Sequence, residues 1–72
     1  MEAREAVLAV LGEASEPLHW TAIQDRALRA GYLDPFAIKD VRRVVLGALR
    51  ELVEEGRVRR MAKGVYAPAS PS

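Results

Sequence analysis

The sequence has no cysteine, no asparagine, a single histidine and only four aromatic side chains, Trp20, Tyr32, Phe36 and Tyr66. Without cysteine there are no disulfides and no thiolate metal sites, so the 72 residues must hold their fold by packing alone. With His19 as the one imidazole, no histidine-based metal cluster can form. Nucleophile–base pairs, glycine-rich phosphate loops and metal-ligand spacings are also missing, so we expect a binding protein rather than an enzyme, with no cofactor and no metal. No apolar run approaches the ~18 residues of a membrane span. Glu2 and Glu5 stand where a secretory signal would carry positive charge. The expectation is a cytoplasmic protein without a membrane partner.

What is present is a globular composition, 50% hydrophobic and 29% charged. A domain of this size buries roughly 60% of its unfolded surface, enough for one small core. The formal charge of +1 hides a division along the chain. Residues 1–38 carry three basic and six acidic side chains, whereas residues 39–72 carry eight basic and four acidic ones. The basic half is where an anionic partner would bind.

Hydrophobic spacing predicts three helices. From Glu2 to Ala14, the residues Ala3, Val7, Val10, Leu11 and Ala14 share one helical face, with Glu2, Glu5, Ala9 and Glu13 opposite. Glu16-Pro17 ends this segment, because proline lacks the donor and disfavours a helical residue before it. Leu18 is read as a short extended link. A second helix should begin near His19 to Thr21, with Thr21-Ala22-Ile23-Gln24 as a capping box and Gly31 as its stop. Trp20, Ile23, Ala27 and Leu28 form its expected buried stripe. In the connector from Tyr32 to Lys39, Asp34-Pro35 is expected to cap an extra turn that carries Phe36 into the core.

The third helix has the strongest pattern, with Asp40 as N-cap and Gly56 beyond its end. At 100° per residue, Val41, Val45, Ala48, Leu49 and Leu52 fall on one stripe. Arg43, Gly47, Arg50 and Glu54 face outward, with Arg42 and Leu46 on the flanks. After Gly56, Arg57-Val58-Arg59-Arg60-Met61 and Val65-Tyr66-Ala67 read as a β-hairpin with glycine at the turn. Residues 1–67 thus form one domain, mainly α with a small β-hairpin, and 68–72 a short frayed tail. Three helices followed by a hairpin is the order of a winged helix-turn-helix, whose hairpin is the wing.

The residues themselves carry a resemblance. Leu18-His19-Trp20-Thr21-Ala22-Ile23, the Gly31 stop, the helix from Val41 to Glu55 and the closing Gly64-Val65-Tyr66-Ala67 resemble the winged-helix domains called HARE-HTH, over residues 3–67. That family commonly has Ser or Thr where His19 stands. The resemblance implies a module that binds DNA or docks on a transcription or chromatin complex.

The candidate nucleic-acid-binding residues are Lys39, Arg42, Arg43, Arg50, Arg57, Arg59, Arg60 and Lys63. Arg43 and Arg50 lie two turns apart on the outward helix face, and the guanidinium fork suits both phosphate oxygens and the guanine edge in the major groove. Lys39 and Arg42 lie near the helix start, where free backbone N–H groups also attract a phosphate, and Arg42 is expected in the major groove with Arg43 and Arg50, while Leu46 and Gly47 leave room for close approach. Arg57, Arg59, Arg60 and Lys63 put four cations within seven residues on the hairpin, a charge suited to a phosphate backbone or a minor groove. Each feature has a plainer reading. Arg43 and Arg50 would pair with Glu51, Glu54 or Glu55 on a solvated helix face, and the hairpin cations would protect an exposed edge strand. His19 is read as a helix-start or surface residue, and Trp20 and Tyr66 as core anchors rather than base-stacking platforms. The expected partner is double-stranded DNA. The acidic stripe Glu2, Glu5 and Glu13 instead suits a protein partner, and Leu8 on the first helix's flank is the one sign of a homodimer.

Overall fold

The computed structural model describes residues 1–69. Its elements run α1 (Ala3–Glu13), β1 (Leu18–His19), α2 (Trp20–Arg29), α3 (Val41–Glu54), β2 (Val58–Ala62) and β3 (Val65–Pro68). The three strands form an antiparallel sheet in the order β1-β3-β2, giving a mainly α fold with a winged helix-turn-helix arrangement.

The three helices meet on their apolar faces. Ala6, Val7, Val10 and Leu11 of α1, Ile23 and Ala27 of α2, and Val45, Ala48, Leu49 and Leu52 of α3 are all buried. Leu18, Leu33 and Val58 close the core from the sheet and the connector. The expected stripes are therefore present, with differences at their margins. Ala6 joins the buried face of α1, while Ala3, Ala14, Trp20, Leu28 and Val41 pack against the core half-buried. Leu8, the residue considered for a homodimer, is also half-buried against the core.

Both later helices end in the same motif. At the end of α2, the Gly31 N–H reaches the Leu28 carbonyl at 3.2 Å and the Tyr32 N–H reaches that of Ala27 at 2.9 Å. At the end of α3, the Gly56 N–H reaches Val53 at 3.0 Å and the Arg57 N–H reaches Leu52 at 2.9 Å. These paired bonds satisfy carbonyls the helix leaves free and turn the chain sharply, which aims Arg57 into the wing.

The start of α2 differs from the expected capping box. His19, not Thr21, is the N-cap: its ring Nδ1 accepts the Thr21 N–H at 3.2 Å, and the Thr21 hydroxyl lies 2.8 Å from the same nitrogen. Gln24 does not reach back either, since its Oε1 is buried without a hydrogen-bond partner among the described residues. The cause is long-range. Leu18 and His19 pair with Tyr66 and Val65, which holds His19 in an extended conformation as the cap, so the helix starts at Trp20, two residues earlier than a Thr21 cap would start it. Sequence spacing showed a two-stranded hairpin, and this third strand comes from a segment read only as a link.

Phe36 is a second correction. It is 99% exposed instead of buried. The expected turn does form, with the Asp34 carboxylate accepting the Phe36 N–H at 2.9 Å and the Asp34 carbonyl accepting from Ala37 and Ile38 at 3.1 Å each. Leu33, 2% exposed, and half-buried Ile38 fill the space on either side of the turn, leaving Phe36 on its outer side.

In the wing, Arg59 opposes Ala67 and Arg60 opposes Tyr66. The register then shifts, so Ala62 pairs with Val65 and Met61 is the extra residue of a bulge. Lys63 and Gly64 make the two-residue turn, with Gly64 at φ +75° where side-chain-bearing residues are strained. The expected tail is described only through Ala69: Pro68 completes β3, the Ala69 N–H donates to the Arg57 carbonyl at 3.3 Å, and the rest lies outside the described residues.

Candidate nucleic-acid interface

Helix α3 begins at Asp40, whose carboxylate accepts the Arg43 N–H at 3.1 Å. That bond satisfies one free donor of the first turn and fixes the rotation of the helix as it leaves the connector. Because the stripe from Val45 to Leu52 is buried, the opposite stripe must face water. There Asp40, Arg42, Arg43, Leu46, Gly47 and Arg50 line an open depression of about 540 Å³. Lys39 extends it past the helix start, beside Asp40, Arg43 and Val44. The structure thus gathers Lys39, Arg42, Arg43 and Arg50 on one continuous surface.

Gly47 forms the low centre of that surface. A Cβ built on it would meet nothing within 4 Å, so internal packing does not require the missing side chain. A glycine in a helix interior costs roughly 0.5–1 kcal/mol relative to alanine.

Of the carboxylates near Arg43 and Arg50 in sequence, Glu51, Glu55 and Asp40 are engaged elsewhere, and Glu54 makes no ion pair within 4.0 Å among the described residues. Glu51 and Glu55 both turn to Arg4 on α1, at 3.4 and 2.5 Å. Asp40 is occupied as the N-cap. Pairing of Arg43 and Arg50 with Glu51, Glu54 or Glu55, the plainer reading of this face, is not what forms: among the described residues the ion pairs are Arg4 with Glu51, Arg4 with Glu55, and Arg29 with Asp25. All eight candidate cations therefore stand without a carboxylate within 4.0 Å among the described residues. The Arg4 bridge was not foreseen, because it joins side chains 47 and 51 residues apart.

The wing carries the other cations. Val58 is buried and anchors the strand, whereas Arg59, Arg60, Met61 and Ala62 are all exposed, so beyond Val58 β2 is a solvent-facing edge strand while β3 is held against β1 and, through Tyr66, the core. Side chains alternate along a strand, which places Arg59 and Arg60 on opposite faces of the ribbon. A surface lying flat against the wing meets one of them, and a groove that admits the ribbon meets both. Lys63 is exposed at the tip, and Arg57 is exposed at the base, with its backbone bonded to both Leu52 and Ala69.

Arg42 also reaches α2. Its guanidinium carbon lies 5.4 Å from the ring centroid of Trp20, in cation–π range. Trp20 and Tyr66 are half-buried and packed against the core, as anchors would be. The contact between Trp20 and Arg42 was missed because it joins two helices, and no local spacing signals it. No helix is long and apolar enough to cross a membrane among the described residues, and these residues hold no group of three or more His, Asp or Glu arranged for a metal ion. No family model matches the chain, and neither a curated protein nor a solved structure shows significant similarity to it.

Proposed function

We propose that this protein is a double-stranded DNA-binding winged-helix module of the HARE-HTH kind, acting in transcription rather than as an enzyme. In this reading α3 enters the major groove with Arg43 and Arg50, Lys39 and Arg42 meet the adjoining strand, and Arg57, Arg59, Arg60 and Lys63 follow the backbone. The observation that carries it is the placement of charge: eight cations on α3 and the wing without carboxylate partners among the described residues, while Glu51 and Glu55 are drawn back to Arg4. Unpaired arginines on an exposed helix and ribbon lose no intramolecular partner when they meet phosphate, and each phosphate neutralised releases counterions. One module of this size buries only about 600–1,000 Å² on DNA, so tight selective binding needs a second copy or a partner protein.

The test is fluorescence anisotropy of a labelled duplex of about 20 base pairs at several salt concentrations. The expected result is a slope of log K against log salt of roughly −3 to −6, several neutralised phosphates' worth. Arg43→Ala combined with Arg50→Ala should weaken binding at least about tenfold, as loss of two base or phosphate contacts requires. No binding at about 50 mM salt with tens of micromolar protein refutes the proposal.

One observation favours a second reading, a module that docks on a transcription or nucleic-acid-processing protein. Phe36, 99% exposed on a turn braced by Asp34, is an aromatic knob with no role in the core. Buried aromatic anchors dominate protein interfaces. A pull-down with the wild type and with Phe36→Ser checks this: a stoichiometric partner lost in the variant supports docking, and recovery of no partner by the wild type counts against it.

A further inference from the structure

Trp20 lies where α2, α3 and the wing converge. Its backbone N–H donates to the Gly64 carbonyl at 2.8 Å, tying the first residue of α2 to the wing turn. Its ring lies 5.7 Å from the His19 ring, whose Nδ1 caps the same helix. A Cβ built on Gly64 would come within 2.9 Å of His19 Nε2 and 3.4 Å of Trp20 Cδ1, so the turn is seated closely on this aromatic pair. From the other side, the Arg42 guanidinium lies over the indole at 5.4 Å. One side chain therefore touches both parts of the basic surface, the start of α3 and the tip of the wing.

Its surroundings define what it does. Arg42 is exposed and has no ion pair among the described residues, so the indole is the one group seen to restrain its head. A free arginine loses rotamer entropy when it is fixed on a ligand, and a guanidinium already held over a ring has lost part of it beforehand. A guanidinium held over a ring face in this way makes no hydrogen bond to it, so its N–H groups remain available to an oxygen acceptor.

Resting on the DNA reading above, we propose that Trp20 is a positioning residue. It holds Arg42 beside the wing turn, so that Arg42 and Lys63 present one preorganised pair of donors to the phosphate backbone at the junction of the two contact regions. Arg42 is thereby a backbone contact instead of a base reader, and Trp20 acts on DNA only through it. Since Trp20 is the only tryptophan in the chain, its fluorescence reports on that contact directly.

A double-mutant cycle tests this on the full chain, with the same labelled duplex and salt series. Arg42→Ala should weaken binding uniformly across duplex sequences and reduce the salt slope by about one. Trp20→Leu should weaken binding about two- to fivefold with the slope unchanged, because the cation remains and only its restraint is lost. In the Arg42→Ala background the same Trp20→Leu change should have almost no further effect. Trp20→Phe, which keeps an aromatic face, should recover most of the affinity. Circular dichroism melting selects folded variants. If Trp20→Leu does not fold, Trp20→Phe and Arg42→Ala, together with the change in wild-type tryptophan emission when DNA is added, still decide the matter. Emission that responds to DNA in the wild type but not in Arg42→Ala supports the proposal. Two results overturn it while leaving DNA binding intact: additive effects of Trp20→Leu and Arg42→Ala, or identical emission responses with and without Arg42. A wild type that binds no duplex removes the DNA reading itself, and this proposal with it.

Discussion

The two sides of α3 are built from the same fourteen residues and serve different ends. On the inner side Val45, Leu49 and Leu52 are completely buried and Ala48 nearly so, touching α1, α2 and the sheet. On the outer side Arg43, Gly47 and Arg50 touch no other element closely enough for a hydrogen bond from their side chains, and they line an open depression. Between the two, Glu51 and Glu55 act as a lateral tie to Arg4 on α1. The inner side can be explained completely by folding. The outer side cannot, since a fold alone would do better with alanine at Gly47 and with Arg43 or Arg50 paired to a neighbouring carboxylate. The proposed contact with DNA supplies a reason for such small local gains to be forgone on one face of one helix.

The sharpest way to break this comparison is to cut each side separately. Leu49→Ala removes a fully buried side chain and should cost about 2–5 kcal/mol. For a chain of 72 residues whose whole stability is about 4–11 kcal/mol, that is a large share of it, and the urea midpoint should fall in proportion. Arg43→Ala with Arg50→Ala should do the reverse, changing the stability read from the urea midpoint by no more than about 0.5 kcal/mol per site while binding falls. If the arginine pair is as destabilising as Leu49→Ala, the outer side is part of the fold and the division is false.

Gly47→Ala sharpens the comparison within the outer side. The helix should gain roughly 0.5–1 kcal/mol, because the added methyl meets nothing within 4 Å and alanine is the better helix former. Thermal melting reads the gain. If a duplex approaches the helix closely at this point, the same variant should bind more weakly although it is more stable. Equal or tighter binding places the contact elsewhere on the depression.

The inner side was legible in the sequence and the lateral ties were not, for a physical reason. The period of Val41, Val45, Ala48, Leu49 and Leu52, the Asp40 cap and the Gly56 stop are local signals, written within a few turns of the helix they define. The stripe of Arg43 and Arg50 was legible by the same arithmetic, as the complement of the buried one. Hidden features joined distant segments: β1 pairing with β3, His19 displacing Thr21 as the cap, Arg4 taking Glu51 and Glu55, and Trp20 meeting Arg42. Phe36 misled because an aromatic residue in a short connector is usually an anchor, and only the tertiary positions of Leu33 and Ile38 reveal that the space beneath the turn is already filled. The long-range pairing of Leu18-His19 could have been suspected from one clue, since an extended pair directly before a helix and a Val-Tyr segment at the wing are both suited to a sheet edge.

Removing the lateral ties should have the smaller effects. Arg4→Ala breaks two bridges whose side chains are more than a third exposed, and exposed bridges contribute at most about 1 kcal/mol together with their screening. The informative consequence is on binding: freed from Arg4, Glu51 and Glu55 are available to the outer arginines, so affinity for the duplex should fall by more in low salt than in high salt. An affinity unchanged at every salt concentration means the carboxylates were never competitors for Arg43 and Arg50.

The second tie of α1 is smaller still and depends on pH. The Tyr32 hydroxyl donates to the Glu13 carboxylate, joining the connector before α3 to the end of α1. That hydrogen bond, then partial burial, then repulsion from the same carboxylate push the phenol above its ordinary value of 10.0. The protonated phenol is therefore favoured by the folded state. Its contribution is fully present below pH 10.0 and is lost as pH rises through the raised folded value, where the folded chain still holds a proton the unfolded chain has released. Comparing urea midpoints of wild type and Tyr32→Phe from about pH 8 to about pH 11 isolates this contribution, since every other titrating group is common to both. The wild type should lose ground to the variant only at the alkaline end. In a Tyr66→Phe chain, where Tyr32 is the sole tyrosine, ultraviolet titration should place its ionisation above the ordinary tyrosine range. A parallel pH profile for wild type and Tyr32→Phe would mean that α1 and the connector are held by apolar packing alone, which would make the inner side of the fold even more dominant than the comparison on α3 implies.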